Sequence, residues 1–480
     1  MHLAQSNILL NRIRMHAVLL ALIALACGVV SAPLAAQVVP GTNTAPTASS
    51  FQGSVASGEV SAQPIDLTLD DAMQRGLKTN LGIILSGAQT ASARGQKLSQ
   101  LQSLLPSIDF NAQESLMQVD LAAQGLRIPG FPTIIGPFGF TDLRASLSWS
   151  LLNVNSLRTY LAAKHNFNAA QLSADDARDL VVLTVGNAYL LALADETRVS
   201  SVEAQVATAK ISLDQAVASH EAGTAPKIDE LRARVDYQSL QQNLIVARNS
   251  LEKDKLALAR TIGLPLGQSF NLAEKAPYAA FDKIDIEAAI RDAKANRKDL
   301  AAMVEQVKAA EEQRKAATAD RLPTIQVNAD YGDIGVNVRH SHGTGNASGT
   351  LSVPVFKEFG LRGEAQTAQA QLNTVQAQLS DKQAQVESDV RDALLDIESA
   401  QNQVEVAHSS VELANEALSE AQQRYANGVS DNLAVSQAEQ SVAQANDQYV
   451  ASLYRHNVAK LSLARALGAA QDYKKYLGGK

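Results

Sequence analysis

The sequence has few of the residues that build wide globular cores and disulfide frameworks. Its 480 residues include one cysteine, Cys27, and one tryptophan, and only 4% of them are aromatic. If Cys27 is removed with a signal peptide, the mature chain has no thiol, which excludes disulfides and cysteine chemistry. The hydrophobic share is nevertheless 46%. Much of it is alanine, and this composition favours closely packed helices over a wide core.

Beyond its N-terminus, the chain has no apolar run of the roughly 18 residues that a membrane-spanning helix needs. A shorter apolar run, Ala17–Val30, follows a basic start and precedes small residues that end at Ala36. This order is typical of a secretory signal, so we predict a signal peptide over residues 1–36. In a second interpretation, Cys27 is kept and lipidated.

The sequence also lacks a basic excess and the common catalytic motifs. Removal of the predicted signal takes away two arginines and no acid, which changes the formal net charge from −7 to −9 and disfavours nucleic acid as a partner. A Gly-rich phosphate loop, H-E-x-x-H and a nucleophile elbow with partners are all absent. His340 and His342 have no nearby carboxylate cluster and are interpreted as solvated loop histidines. We therefore predict no enzyme activity, no cofactor and no metal.

The dominant feature of the chain is a duplication. A leader over residues 37–65 is rich in small and polar residues and is predicted to be disordered. Helical patterning then covers Leu67–Leu104 and returns over Ile284–Arg321. The two segments align without a gap, and each ends in Leu-Pro. A repeat at this distance indicates a duplicated structural unit.

Each Leu-Pro is followed by two stretches in which apolar and polar residues alternate, as in a β-strand. The predicted strands cover about residues 106–118, 142–152, 323–338 and 347–356. A half-buried soluble sheet and a transmembrane barrel share this pattern. Four strands cannot close a barrel, which needs at least about 8. A membrane location would therefore require several chains to share one barrel.

A long helical seam follows each pair of strands. From Val390 to Tyr425 a large residue recurs every seven positions, with alanine at the neighbouring seam position. The same register occurs earlier in the chain, from Val185 to His220, and is broken only by Asp195. This a/d pattern predicts long helices that pack closely.

Each long helix is predicted to turn at a glycine and to return as a second helix. The resulting helical hairpins cover about residues 156–263 and 361–467. We place the turns at Gly223 and Gly428, where a C-cap glycine ends the outgoing helix. Some 60 residues of helix make a rod of roughly 90–100 Å.

These elements define two structural repeats, residues 66–283 and 284–470, and a C-terminal tail over residues 471–480. In the return helices, His456 stands where the first repeat has Leu251. We therefore predict a histidine packed in the seam and not a metal ligand.

The order of signal, helix, Leu-Pro, strand pair and long hairpin, with all parts after the signal present twice, resembles the TolC-like outer-membrane factor family. The stretches similar to those of the family are Leu67-Thr-Leu-Asp-Asp-Ala72, Asn296-Arg-Lys-Asp-Leu300, Arg321-Leu-Pro323, Leu351-Ser-Val-Pro-Val-Phe356 and Tyr425-Ala-Asn-Gly428. The resemblance covers about residues 66–470. It implies a mainly α protomer with transmembrane β-strands, and a homotrimer whose 12-stranded β-barrel continues as a periplasmic α-helical barrel.

The resemblance also implies a location, partners and a function. The location would be the outer membrane of a Gram-negative-type bacterium, with outer-membrane lipid around the barrel and a long periplasmic extension. The partners would be a periplasmic adaptor and an inner-membrane transporter. The function would be the exit duct of a tripartite efflux or type I secretion system, through which substrate passes passively. The alternative is a periplasmic coiled-coil adaptor or scaffold without a channel.

The family closes its tunnel near the hairpin tips, often with acidic residues. Asp229 lies six residues after the first tip glycine, where the family carries an acid. The second tip departs from the pattern, with Ala434 and Gln437 where the best-known member has aspartates. The candidate entrance residues are Asp229, Glu230, Tyr425 and Asp431. As an alternative, the acids cap helix starts, where the helix dipole favours negative charge, and Tyr425 belongs to the seam.

Overall fold

A computed structural model describes residues 48–123, 125–126, 128–274, 278–427, 429–430 and 432–477. Over these residues the chain is mainly helical. The helices are α1 (Leu69–Thr79), α2 (Leu81–Gln102), α3 (Val154–Glu221), α4 (Lys227–Ile262), α5 (Ile286–Asn296), α6 (Lys298–Ala319), α7 (Glu358–Ala426), α8 (Asn432–Ala466) and α9 (Tyr473–Leu477). The strands are β1 (Ile65–Leu67), β2 (Ser107–Asp120), β3 (Ile134–Leu152), β4 (Phe270–Leu272), β5 (Thr324–Gly335) and β6 (Ser341–Ser352). The predicted signal peptide lies outside the described residues.

The two helices before each strand pair have the same lengths in both repeats. Helices α1 and α5 both contain 11 residues, and α2 and α6 both contain 22. Their ends align at the offset that the sequence repeat shows. Thr68 caps α1 through its side chain, and Asp285, at the matching position, caps α5. Each of these side chains accepts a hydrogen bond from a backbone N–H in the first turn, and this cap fixes where the helix starts.

The segments predicted to be helical, Leu67–Leu104 and Ile284–Arg321, each contain two helices separated by a break. The breaks fall at Asn80 and Arg297, which both have extended backbone conformations. Asn80 accepts a hydrogen bond from the N–H of Gly82 at 2.9 Å and donates to the carbonyl of Phe51 at 2.7 Å. Neither glycine nor proline causes the break. Side-chain contacts that are distant in sequence replace the lost helical hydrogen bond.

Strands β2, β3, β5 and β6 form one antiparallel sheet in the order β2-β3-β5-β6. The pairing places Ile108 beside Leu147, and Leu147 beside Ala329, in one apolar row. The next row contains polar residues only: Asp109, Ser146, Asp330 and Asn346. Because side chains alternate across a pleated strand, the sheet has one apolar and one polar face.

Two strands differ in extent from those expected from the sequence. Strand β3 begins at Ile134 and not at about 142, because its first residues continue the ladder with β2 as far as Asp120. Strand β6 covers Ser341–Ser352 instead of 347–356. It ends before Pro354, which has no N–H to give to a ladder.

The glycines of β6 explain its unexpected start. A Cβ added at Gly343 would lie 2.8 Å from the hydroxyl oxygen of Tyr331, and one at Gly345 would lie 3.0 Å from the Tyr331 ring. These glycines leave room for the tyrosine on the neighbouring strand. The segment has the composition of a loop, but its glycines pack as part of the sheet.

The two helical hairpins are α3–α4 and α7–α8. Their outgoing helices contain 68 and 69 residues, so each is about 100 Å long at 1.5 Å per residue. The seam residues from Val185 to Ala216 are mostly buried, as are those from Val390 to Ala407. One helix among the described residues, α3, is long and apolar enough to cross a membrane, but most of its apolar window is buried inside the protein.

The main core lies where α1, α3, α4 and α8 meet. Its largest members include Met73, Val185, Tyr189 and Leu461. A Cβ at Gly186 would lie 2.5 Å from a methyl group of Leu461, so the missing side chain lets α3 and α8 approach. The buried position predicted for His456 is observed, with its ring 5.4 Å from that of Tyr278.

The disordered leader predicted over residues 37–65 is wrong for its second half. From residue 48 the chain packs against the core, and Phe51 is buried over Gly82. The N–H of Ser57 bonds the carbonyl of Gly263 at 2.9 Å, and β1 pairs in parallel with β4. The composition of residues 48–65 suggested disorder, but one buried phenylalanine and these backbone hydrogen bonds hold the segment.

Candidate functional site at the hairpin tips

The first hairpin turns between Glu221 and Lys227. Gly223 has φ +74°, a left-handed conformation that glycine adopts without steric cost. The N–H of Gly223 bonds the carbonyl of His220, and that of Thr224 bonds the carbonyl of Ser219, both at 2.9 Å. These bonds satisfy the last carbonyls of α3 and make a tight tip.

Asp229 and Glu230 lie in the first turn of α4 and are 6% and 5% exposed. Glu230 contacts Lys227 and lies 2.8 Å from Arg234, and the Lys227 contact lowers the pKa of its carboxyl group. Asp229 forms a longer ion pair with Arg232, at 3.7 Å. Glu230 is therefore held by cations of its own helix, whereas Asp229 retains accepting capacity.

Tyr425 lies at the end of α7, in the second hairpin. Its hydroxyl is inaccessible to water and has no hydrogen-bond partner among the described residues. Burial and then the negative charge of Asp229 raise the pKa of Tyr425. The structure thus brings together one candidate residue from each hairpin. Gly428 and Asp431 lie outside the described residues, so the second turn and its acid remain predictions.

Polar links between the hairpins were not found from the sequence. Ser436 of α8 donates a hydrogen bond to Asp236 of α4. Ser212 of α3 donates to Glu439 of α8 at 2.7 Å. The sequence did contain a signal, because Asp236 and Glu439 flank seam positions, where coiled coils carry interhelical polar pairs.

A further link lies at a greater distance from the tips. Arg198 of α3 and Asp447 of α8 form an ion pair at 3.2 Å. At Glu439, burial raises the pKa of the carboxyl group, so the hydroxyl of Ser212 replaces part of its lost hydration. Together, the links hold the first hairpin against the return helix of the second.

The chemistry of these contacts is structural. Among the described residues, no group of three or more His, Cys, Asp or Glu side chains is arranged to hold a metal ion. The tips combine buried carboxylates, serine hydroxyls and one tyrosine hydroxyl. Such an arrangement can hold helices together and release them.

The fold is that of solved outer-membrane channels. VceC from Vibrio cholerae superposes with a TM-score of 0.73 at 19% identity, covering 83% of this chain and 96% of VceC. CmeC from Campylobacter jejuni gives a TM-score of 0.74 at 17% identity, covering 89% and 95%. The open state of MtrE from Neisseria gonorrhoeae gives 0.71 at 19% identity, covering 86% and 94%. A sheet with two long hairpins therefore defines this chain as having an outer-membrane channel fold.

The family model described as outer membrane efflux protein matches residues 84–264 and 289–469. The protein belongs to this family. The two matched segments are equal in length and stand at the offset of the helical seams. Curated relatives include TtgC, a probable efflux pump outer membrane protein of Pseudomonas putida, and ArpC, an antibiotic efflux pump outer membrane protein of the same species. Each is 23% identical over 71% of this chain and 70% of the relative.

Family membership confirms the resemblance found in the sequence. The protein is an outer-membrane efflux protein of a Gram-negative bacterium and not an enzyme. The interpretation as a coiled-coil adaptor or scaffold without a channel is wrong.

Proposed function

We propose that three copies of this chain form an exit duct, with a shared 12-stranded β-barrel and a periplasmic tunnel made of the hairpins. Substrate passes through it passively. The observation that supports this proposal most directly is the four-stranded sheet, which has two open edges at β2 and β6.

Backbone chemistry requires those edges to be paired in a membrane. Strands β2 and β6 contain 14 and 12 residues, and each has a row of backbone groups on its outer side that the sheet itself does not pair. In a lipid bilayer water cannot satisfy these groups, so a sheet spans it only as a closed barrel. Pairing β6 of one copy with β2 of the next closes the barrel.

The two faces of the sheet suit opposite environments. On the apolar face, Ile108, Phe110 and Leu351 are 75%, 71% and 65% exposed, which is unfavourable in water and favourable against outer-membrane lipid. The polar row of Asp109, Ser146, Asp330 and Asn346 then lines the lumen.

The strand number favours three copies. Two copies would give 8 strands, and barrels of about 8 strands are filled by their own side chains. Three copies give 12 strands and leave room for a duct. The same threefold arrangement places six hairpins around the tunnel axis.

The duct requires an energy source elsewhere, because no energy-coupling motif was found in its sequence. We propose a periplasmic adaptor and an inner-membrane transporter as its partners. The names of the curated relatives, antibiotic and toluene efflux pump proteins, favour efflux of small molecules over type I secretion of protein.

We further propose that Asp229 and Tyr425 close the entrance. No described residue accepts a hydrogen bond from the buried Tyr425 hydroxyl, and the charge of the Asp229 carboxylate acts on it. In our proposal this hydroxyl donates to that carboxylate when the entrance is closed. Glu230, already paired with Lys227 and Arg234, serves the helix start. The role of Asp431 as an entrance residue stays a prediction.

The proposal is tested with full-length protein extracted from outer membranes in detergent. We expect a trimer that dissociates on heating and forms ion-conducting channels in planar bilayers. Tyr425→Phe should raise conductance by easing the entrance open, whereas Tyr237→Phe, in the seam of α4, is the control and should not. A soluble monomer without conductance would contradict the proposed duct, and equal conductance of the wild type and Tyr425→Phe would contradict only the gate.

A further inference from the structure

The helices of the two hairpins pack side by side in the order α4-α3-α8-α7, which leaves α4 and α7 at the two edges. The contact in the middle joins the outgoing helix of the first repeat, α3, to the return helix of the second, α8. Val185 of α3 matches Val390 of α7, 205 residues later, and the same offset relates α4 to α8. The contact that matches α3 with α8 would therefore join α7 to α4, which lie on opposite edges of one chain.

Matched leucines are buried in the middle contact and exposed at the edges. Leu190 of α3 and Leu461 of α8 are 3% and 2% exposed and belong to the main core. Their counterparts, Leu395 of α7 and Leu256 of α4, are 65% and 49% exposed. The side chains are identical in the two repeats. They differ in exposure because the helix that would cover the second pair lies on the far edge of its own chain.

A groove beside Leu395 is the open counterpart of the main core. It has a volume of about 540 Å³, and its apolar lining includes Ile284 and Ile286, which are 39% and 43% exposed. The matching residues of the first repeat, Leu67 and Leu69, are 0% and 9% exposed and belong to the main core together with the end of α8. Exposed apolar surface of this kind marks an interaction site.

A matched pair of charges accompanies the leucines. Asp176 of α3 and Arg465 of α8 form an ion pair at 2.6 Å, and their side chains are 15% and 12% exposed. The matching residues, Asp381 of α7 and Arg260 of α4, are both exposed. In the part of the chain that the structure describes, neither the Asp381 carboxylate nor the Arg260 guanidinium has a hydrogen-bond or ion-pair partner. The two edges therefore carry complementary charges as well as apolar side chains.

We propose that α7 of one copy packs against α4 of the next copy, in the register of α3 and α8. The inference rests on the proposed trimeric duct and names the helical interface of that assembly. Leu256 of the next copy enters the groove beside Leu395, and Asp381 pairs with Arg260 of the next copy. Because the contact joins two different faces, its repetition closes a ring.

One matched position sets the spacing of this interface. A Cβ at Gly186 of α3 would lie 2.5 Å from a methyl group of Leu461. At the matching position α7 has Arg391, whose guanidinium is held by acids of its own chain. Since arginine needs more space than glycine, α7 and α4 of the next copy lie farther apart than α3 and α8. The aliphatic stem of Arg391 then covers part of Leu256 of the next copy.

Cysteine cross-linking in the full-length, detergent-extracted protein tests the register. In a Cys27→Ser background, a short bis-maleimide should link L395C/L256C into products of two and three chains. L395C/V235C is the matched control and should not link. Val235 is on an exposed position of α4, with 63% exposure, but it lies three heptads from Leu256, or roughly 31 Å along the helix. Equal linking of both pairs would overturn the register, and a trimer in which neither pair links would mean that another segment fills the groove.

Charge exchange tests the ion pair. D381R places two arginines together and should lower the temperature at which the trimer dissociates, and D381R/R260D should restore it. D176R, in the matched pair within one chain, should not be rescued by R260D. An unchanged dissociation temperature in D381R, or equal rescue of both variants, would overturn the pairing. If the wild-type trimer conducts ions in planar bilayers while these variants fail the test, the interface is wrong and the duct stands. A monomeric wild type would overturn both.

Discussion

The two repeats share their geometry and differ in their charges. Helices α1 and α2 have the same lengths as α5 and α6 and lie at a constant offset from them in the sequence, and both hairpins bury an a/d seam. The first hairpin nevertheless carries acids within its seam and at its tip, whereas the second has alanine in the seam. Register is fixed by apolar packing, because one slipped residue would expose a whole face. The charged residues are not constrained in this way, so the two copies can acquire separate roles through differences in their charges.

The largest expected effect lies at the two helix breaks. Arg297 is 5% exposed and bonds Asp299 at 2.7 Å and Asp389 at 2.6 Å, whereas its counterpart Asn80 is neutral. Arg297→Ala should lower the free energy of unfolding by about 3–5 kcal/mol, since it removes the buried guanidinium that pairs with both carboxylates and leaves Asp299 with Lys382 alone. Asn80→Ala should cost about 1–3 kcal/mol. Denaturant midpoints of both variants check the order, and an equal loss would contradict it.

The Arg297 effect should also depend on pH. Burial alone would raise the pKa of Asp299, but hydrogen bonds from Arg297 and Lys382 outweigh it and hold that pKa well below its usual value. A lowered carboxyl pKa contributes stability above the unfolded pKa, and this stability is lost as pH falls through the folded one. The difference between wild type and Arg297→Ala should therefore shrink in strong acid.

The second prediction concerns the alanine side of the seam in the second hairpin. Ala407 is buried between α7 and α8, while its counterpart in the first hairpin is Val202. Ala407→Leu should cost about 1–3 kcal/mol because the extra volume separates the helices. Ala384→Leu, at an exposed position of the same helix, is the control. If Ala407→Leu unfolded at the same denaturant concentration as the control, the close packing of this seam would be refuted.

A smaller effect is expected at the link between the hairpins. Ser212→Ala removes the hydrogen bond to Glu439 and should cost about 0.5–1.5 kcal/mol. Burial raises the pKa of Glu439, although the hydrogen bond from Ser212 lowers it in part, so the contribution of Glu439 to folding is most favourable in acid and is lost as pH rises through its folded pKa. Glu439→Gln should abolish that pH dependence. The measurement is the unfolding midpoint as a function of pH, from pH 4 to pH 8. The same pH dependence in the wild type and in Glu439→Gln would mean that Glu439 is solvated and would contradict this prediction.

The smallest effect should come from the first tip. Asp229→Asn removes a charge near the proposed entrance and should reduce the preference for cations, by up to about fivefold in permeability ratio. Glu230→Gln is the matched control, because Lys227 and Arg234 already balance its charge. Reversal potentials in a salt gradient report the ratio. An unchanged ratio in Asp229→Asn would assign this acid to helix capping alone.

The sequence alone predicted the parts of the fold in which apolar residues recur at a regular spacing. In both hairpins the seam residues recur as heptads, and in β2 and β5 apolar and polar residues alternate. Both patterns arise because the side chains on one face of a helix or strand recur at a regular spacing. The offset between the two copies of the short helices was equally visible, because the helix caps Thr68 and Asp285 occupy matching positions.

The remaining features depend on contacts between segments distant in sequence. The helix break at Asn80 depends on the hydrogen bond to the carbonyl of Phe51. The ordered structure of residues 48–65 depends on the packing of Phe51 against the core. Strand β6 needs Tyr331 to occupy the space above its glycines. At the candidate site, Asp229 and Glu230 are neighbours with the same formal charge, and only the positions of Arg232 and Arg234 distinguish their roles.

The central claim is that four strands from each of three chains share one barrel, and subunit counting tests it most directly. Native mass spectrometry of the detergent-extracted protein gives the number of chains per particle. Three chains per conducting particle is the predicted result. A stable particle of one or two chains would contradict the account, because 4 strands cannot close a barrel and 8 would leave no open duct.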